Sequence, residues 1–329
     1  MPIFQKSLRF PLYGVAAGLI YGLAFRLAFA MGRPNDGGAF VVLSVAFLFC
    51  VPFALGFAQI FVSEKQERLL WRERVVLPWI PSVLCLAVSM ALGWEGLICV
   101  ILFLPVCLVT SSAGGVLAGL VRDIHRPTSS NLVFLCCLLL PLAVSPLERL
   151  RPVPTQLRTV ETAIEISASP EAIWEQIKSV PAIRREELRE TWTHRMGFPR
   201  PVAATLSHDG IGGVRRASFE GGVLFFETVN RWEPLHELAF TIRADMASIP
   251  AATLDEHVTI GGPYFDVLEG EYRIEPITAG RAILRLSSRH RLSTRFNLYA
   301  RLWSDAILSD IQQNILLVIK QRSEKSSSR

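Results

Sequence analysis

Three side chains in the second half of the chain are of types that could move protons: His290, Glu227 and His194. His290 shares a strand-like alternation with Leu284 and Leu286, so it is either a buried acid or base or a satisfied core histidine. Glu227 shares one face with Phe225 and Val229, while Phe226 and Thr228 take the other. Both faces are partly apolar, so a carboxylate in an interior and one on the outside fit the pattern equally. His194 stands in Trp192-Thr193-His194-Arg195 before Pro199, in a loop that would lie at the rim of any interior. Such a residue is more often a surface histidine.

Other chemistry is not indicated. Asp255-Glu256-His257 near Asp266 has no spacing that matches a metal cage, so no metal is expected. No glycine-rich phosphate loop opens a helix and no nucleophile elbow is present, so no cofactor is expected either. The net charge of +5 is modest for 329 residues and gives no reason to invoke nucleic acid. What the second half does offer is an aromatic set: Phe225, Trp232, Phe240, Tyr264, Tyr272, Phe296, Tyr299 and Trp303. These either pack a core or wall a pocket for an apolar ligand.

The elements that would hold these residues follow from periodicity. Val160–Ser167 alternates with Val160, Thr162, Ile164 and Ile166 on one face. Ser169-Pro170-Glu171 is a helix start, with the serine as cap, the proline at the first helical position and the glutamate facing the positive dipole end. That helix should run to about Lys178, and a second short one should follow Pro181 through Glu190. Gly213–Glu220 and Val223–Trp232 flank Gly221-Gly222, a hairpin signal. Glu237–Arg243 sets Leu238, Phe240 and Ile242 on one face. Val267–Glu275 sets Leu268, Gly270, Tyr272 and Ile274 inside, with Glu269, Glu271, Arg273 and Glu275 outside. Arg281–Arg291 puts Arg281, Arg285 and Arg289 outside, so pairing of the last two strands would set arginines against acids. A final helix from about Arg295 to Gln321, capped by Ser293 or Thr294, carries Phe296, Tyr299, Trp303, Ile307, Ile311, Asn314 and Val318 as one stripe. The long connection Asp245–Asp266 reads as a cover over an interior. Residues 323–329 read as a disordered polar tail.

The first half is written for a different solvent. All six cysteines, Cys50 to Cys137, and nearly every long apolar run precede residue 148, and the mean hydropathy is +0.35. Runs at 10–31, 39–62, 75–93, 97–121 and 132–147 are candidates to cross a bilayer, which takes about 20 apolar residues. Arg26 lies near the end of the first run, where it could snorkel to the interface. Gly14, Gly18 and Gly22 share one helix face; they fit either a homo-oligomer contact or packing within one bundle. Loops holding Lys6, Arg9, Lys65, Arg68, Arg72, Arg74, Arg122 and Arg126 fall on one side if all five runs cross, and basic loops mark the cytoplasm. Five crossings then place the second half outside the cytoplasm, and four place it inside. No run carries paired acids or a histidine relay at its middle, which favours an anchor over a transporter.

The second half, about residues 158–322, resembles a START-like helix-grip domain of the polyketide-cyclase/dehydrase and lipid-transport superfamily. The resemblance lies in the opening Val160-Glu161-Thr162-Ala163-Ile164-Glu165-Ile166-Ser167-Ala168-Ser169-Pro170-Glu171-Ala172-Ile173-Trp174, the hairpin ending Val229-Asn230-Arg231-Trp232-Glu233-Pro234, and the arginine-rich last strand before the long helix. It implies an antiparallel curved sheet around a C-terminal helix, and an interior that takes a hydrophobic or lipid-like molecule. It carries no universal catalytic motif. The expected chain is therefore an all-α transmembrane bundle over 1–147, a linker over 148–158 and an α+β helix-grip domain over 159–322. Its expected partners are the bilayer and a hydrophobic small molecule or lipid. The alternatives are a membrane-bound cyclase or dehydratase using His290 or Glu227, and a structural or sensory module whose interior is filled by side chains.

Overall fold

A computed structural model describes residues 9–30, 42–64, 68–124, 127–245 and 260–327. It divides into two compact units, Met1–Val153 and Pro154–Arg329.

The first unit is helical. Its elements are α1 (Arg9–Ala30), a π-turn (Ala46–Cys50) running into α2 (Val51–Ser63), α3 (Trp71–Val76), α4 (Trp79–Ala91), α5 (Leu97–Ile124) and α6 (Pro127–Glu148). Among the described residues five stretches are long and apolar enough to cross a membrane: Leu12–Ala30, Ala46–Ser63, Trp71–Ala91, Leu97–Ile124 and Asn131–Glu148. The α2 helix is the hub, with Phe57, Ile60 and Phe61 fully buried. A Cβ on Gly56 would lie 2.0 Å from the Ser111 carbonyl oxygen, so only glycine lets α2 approach α5 this closely. The glycine face of α1 is filled by the same chain. Cβ atoms on Gly14, Gly18 and Gly22 would meet Ser63, Pro81 and Leu55 of α2 and α4. A second copy could use that face only by displacing those helices.

Charge in this unit sits at the helix ends. Arg26 does not snorkel to water. It is buried and bonds Glu95 at 2.7 Å and the Trp94 carbonyl at 2.8 Å, because the α4–α5 turn places a carboxylate at its level. At the other end Arg74 bonds Glu64 at 2.6 Å and Asp123 at 2.7 Å. The α6 helix follows α2 along its length. Phe134 stacks on Phe61 at 4.6 Å near one end, and Glu148 accepts from the Val45 and Ala46 amides at 3.0 and 2.5 Å at the other. Glu148 thus serves as a borrowed cap, placing negative charge where the π-turn leading into α2 exposes its first amides.

The second unit is a seven-stranded antiparallel sheet in the order β1-β7-β6-β5-β4-β3-β2, with a long helix lying on β1 and β7. The strands are β1 (Thr155–Ile166), β2 (Pro201–Leu206), β3 (Val214–Phe219), β4 (Leu224–Glu233), β5 (Glu237–Ala244), β6 (Phe265–Thr278) and β7 (Arg281–Ser293). The helices are α7 (Pro170–Lys178), a short α8 (Trp192–Arg195) and α9 (Asn297–Ser327). This is the helix-grip arrangement that the resemblance implies. The Ser169 hydroxyl caps α7 by accepting from the Ala172 amide. Gly221 and Gly222 both take positive φ at the β3–β4 turn, a conformation closed to most other residues.

Several boundaries differ from the periodicity. Strand β1 begins at Thr155, so residues 155–158 are strand rather than linker; Thr155 pairs with Ser293 across β7. The helix expected through Glu190 is one turn, Arg185–Glu187, because Leu188 leaves it in an extended conformation. Strand β2 opens on a proline and lacks alternation, which left it without a sequence signal. Helix α9 starts two residues late and runs to Ser327, so most of the expected tail is helical. Its start is closed by Asn297 Oδ1, which accepts from the Thr294 amide at 2.9 Å and hydroxyl at 2.8 Å.

The helix face that packs on the sheet is also not the expected aromatic stripe. Asn297, Ser304, Leu308, Gln312, Leu316, Ile319 and Ser323 are buried; of the expected stripe Asn314 and Val318 are buried too, whereas Phe296, Tyr299, Trp303, Ile307 and Ile311 are only half-buried. The reason is that the inner faces of β1 and β7 carry hydroxyls and a histidine. Ser304 and Gln312 are buried there because their partners, His290, Thr162 and Ser288, face the helix.

Candidate functional site

The inner face of the sheet is built from alternate residues whose phase is reset by bulges. On β4, Phe225, Glu227 and Val229 point inward; a register shift between Val229 and Arg231 then brings Trp232 onto the same face, edge-on to Trp174 at 5.1 Å. On β6, a shift between Val267 and Glu269 sets Val267, not Leu268, opposite His290, and Phe265 opposite Leu292. The expected inner residue Leu268 is therefore replaced by Val267, and Phe265 joins the site without having been foreseen. The extra residue of a bulge leaves no trace in composition.

Two polar groups are set into this apolar face. The first is an ion pair between neighbouring strands: Arg215 of β3 donates to Glu227, and both are buried. The guanidinium lies 5.6 Å from the ring centre of Phe240 and 5.7 Å from that of Tyr272, so an aromatic wall faces the charge. Burial pushes the Glu227 carboxyl above the usual carboxylate range, although Arg215 pulls against it. Burial likewise raises the Tyr272 phenol. Arg215 Nε has no partner among the described residues. Arg215 was absent from the expected site; Val214 to Phe219 reads as an ordinary strand, and the register with β4 alone brings Arg215 opposite Glu227.

The second group lies under α9. His290 is fully buried, with Nε2 3.2 Å from Ser304 Oγ and 3.8 Å from Asp305 Oδ1. Arg158 of β1 grips Asp305 through two bonds, at 3.1 and 2.5 Å, and the Phe265 ring stacks beside the imidazole at 5.6 Å. Burial pushes the His290 pKa below its ordinary value; Asp305 opposes this and Arg158 adds to it. His290 Nδ1 has no partner among the described residues. Between the two groups, Gln312 accepts from Thr162 at 2.8 Å and donates to the Val160 carbonyl at 3.0 Å and to Ser288 at 2.9 Å. It fastens α9 to both β1 and β7.

The remaining aromatic residues divide. Phe240 and Tyr272 belong to the main core with Leu238, Ile274, Leu284 and Leu286. Phe225 packs in a smaller cluster with Val180, Ala217 and Val318. Tyr264, Phe296, Tyr299 and Trp303 are half-buried, and the last two rings meet edge to face at 6.3 Å. His194 is not on the inner face. It stands on α8 at an open cleft lined by Phe198, Pro199, Arg200 and Glu220. Asp255, Glu256 and His257 lie outside the described residues, as does the middle of the expected cover.

The outer face is a ladder of ion pairs, as the alternation of acids and arginines implies. Arg285 reaches Glu275 at 2.8 Å and Glu161 at 3.0 Å, Arg289 reaches Glu269 at 3.3 Å, and Arg281 pairs with Glu165.

No family model matches this chain, and no curated protein does. Solved structures similar to it in fold include a START superfamily protein from Mycobacterium smegmatis, at 11% identity, covering 51% of this chain and 98% of that one, with a TM-score of 0.34. Another is the Zhui aromatase/cyclase from Streptomyces sp., at 16% identity, 53% and 95% coverage and a TM-score of 0.30. A third is a protein of the dynemicin biosynthetic locus, at 14% identity and a TM-score of 0.32. It covers 51% of this chain, which spans only 48% of that protein's length.

Proposed function

We propose that the second unit binds a mostly apolar molecule carrying one oxygen acceptor, between the inner face of the sheet and α9, and that the first unit holds it at a membrane. The observation that carries this reading is one buried donor with nothing to bind. Arg215 Nε is enclosed among Phe240 and Tyr272 without an acceptor among the described residues. A buried donor left unsatisfied costs about 1–3 kcal/mol, more when charged, so a filled structural core would be expected to avoid it. A ligand carbonyl, hydroxyl or carboxylate oxygen would satisfy it, and the surrounding rings would take the apolar body. The test is mass spectrometry of small molecules that co-purify with the detergent-extracted full chain. One amphipathic species in near-equal amount is expected, lost from Arg215→Met. Bulk phospholipid alone, in the same amount from both proteins, would remove the reading.

The same reading takes the first unit as five crossings. The support is α6, which accompanies α2 from Phe61 to the Ala46 end, and so is as long as a helix that must span. Basic loops then mark the cytoplasmic side, and the second unit faces away from it. Alkaline phosphatase fused after Arg329 should be active and a fluorescent protein fused there dark; the reverse pattern would mean that α6 does not cross.

A further inference from the structure

The cleft at His194 has a volume of about 320 Å³ and is separate in chemistry from the inner face. Its His194 is wired to a carboxylate through two hydroxyls. Thr193 Oγ1 donates to Asp310 of α9, which uses the only hydroxyl proton Thr193 has. Thr191 Oγ1 lies 2.9 Å from Thr193 Oγ1, so Thr191 must be the donor in that contact. With its proton spent there, the 3.1 Å contact between Thr191 Oγ1 and His194 Nδ1 requires Nδ1 to carry the hydrogen. In the neutral ring Nε2 is then a bare acceptor. Asn314 supports the loop rather than competing for Nδ1. It accepts from the Arg189 amide at 3.1 Å and donates to the Arg189 carbonyl at 3.0 Å, and its Nδ2 stays 3.5 Å from the imidazole, too long for a good bond.

The rest of the cleft supplies a cation and an apolar wall. Arg200 is mostly buried, its side chain 19% exposed, and its nearest carboxylate, Glu220, is 3.8 Å away, which leaves the guanidinium able to take a closer anion. Phe198 and Pro199 form the apolar side. Burial holds the His194 pKa below its ordinary value and Arg200 adds to this, while Asp310, Glu220 and the Arg189 backbone oppose it, so the ring is neutral and able to accept a proton near pH 7.

We propose that this cleft is a proton-transfer site for a small carboxylate or carbonyl compound with an apolar body, with His194 Nε2 as the base and Arg200 holding the ligand's oxygen. In the step, Nε2 forms a bond to the proton. The bond that held the proton breaks, and its electron pair passes to the oxygen beside Arg200. The imidazolium so formed is stabilised by Asp310 through Thr193 and Thr191, which are positioning residues. The site does not depend on any ligand bound at Arg215.

The experiment uses the full chain in detergent, diethyl pyrocarbonate as the probe of Nε2, and peptide mass spectrometry to follow each histidine. His194 should be modified, and benzoate should protect it in the wild type but not in Arg200→Gln. At a pH where the ring is neutral, Asp310→Asn and Thr193→Val should slow its modification on the order of tenfold, and Thr193→Ser should restore it. The pH midpoint of the reaction should also fall in Asp310→Asn, because the lost charge favoured the imidazolium; a purely structural role for Asp310 would not move it. His290, being buried, should stay unmodified and so reports folding. If it reacts in Asp310→Asn, the valine and serine variants at Thr193 decide. Equal rates in those two variants, or no protection by benzoate, would overturn the proposal.

Discussion

The two faces of one sheet carry the same residue types and use them differently. On the outer face Arg285 and Arg289 meet glutamates in water, each roughly a third or more exposed. On the inner face Arg215 meets Glu227 with 4% and 10% of their side chains exposed. An exposed pair is screened and held loosely, so it contributes little. A buried pair has lost its hydration, and neither partner can be left alone. The outer ladder lies on the solvent side and adds little to stability. The inner pair holds Arg215 in an apolar interior with its Nε unpartnered among the described residues, the feature on which the proposed binding site rests.

Breaking the inner pair should give the largest effect. Arg215→Met or Glu227→Leu alone should destabilise the second unit by about 3–5 kcal/mol, because each strands a buried charge or carboxyl. The double variant should recover most of that loss, since two apolar side chains can replace a buried pair. Urea unfolding of the full chain in detergent, followed by tryptophan fluorescence, measures all three. A double variant as unstable as the singles would mean that the pair is intrinsic to the fold rather than placed for a ligand.

Gln312→Leu comes next. It removes three bonds that fasten α9 to β1 and β7 and leaves Thr162 and the Val160 carbonyl to find other partners. A loss of about 1–3 kcal/mol is expected in the same unfolding measurement. A neutral outcome would mean that water enters beneath the helix.

His290 should make stability fall in mild acid. Its folded pKa is lowered, chiefly by burial, whereas in the unfolded chain it returns to about 6.5. Below that value the unfolded state binds the proton and the folded state resists it, so stability drops as pH falls toward the folded pKa and is level above 6.5. The groups facing the ring are Ser304, Asp305, Arg158 and Phe265, and Asp305 softens the effect. His290→Gln should flatten that part of the profile. An unchanged profile would place the acid sensitivity elsewhere.

How much of this was legible in the sequence differs between the two faces as well. The outer face could be read, because the register shifts of β6 fall before Glu269 and after Glu275, so the period-two alternation of Glu269, Glu271 and Glu275 against Arg281, Arg285 and Arg289 is unbroken. The inner face could be read only in part. His290 and Glu227 were placed on inward phases, but Arg215 was not foreseen, since its role depends on the β3–β4 register. Trp232 stands on the inner face only because of a bulge. Hydrophobic spacing picks out Tyr299, Trp303, Ile307 and Ile311 on α9, whereas Ser304 and Gln312 are buried through bonds to His290, Thr162 and Ser288. The relay at His194 needed the cap residue Thr191, Thr193 and His194 of the one-turn α8, and Asp310 of α9, and a single turn is too short to show a period.

The smallest effect belongs to the outer ladder, and it separates the two faces most cleanly. Arg289→Ala removes a pair at 3.3 Å whose partners are 43% and 46% exposed. The loss should be about 0.2–1 kcal/mol at low ionic strength. Near 1 M salt, where the screening length is about 3 Å, the difference from wild type should vanish. The Arg215 variants should keep their deficit under the same salt, because ions cannot enter the interior to screen that charge. If salt instead erased both differences, the inner pair would be in contact with water, and the donor at Arg215 Nε would be solvated rather than waiting for a ligand.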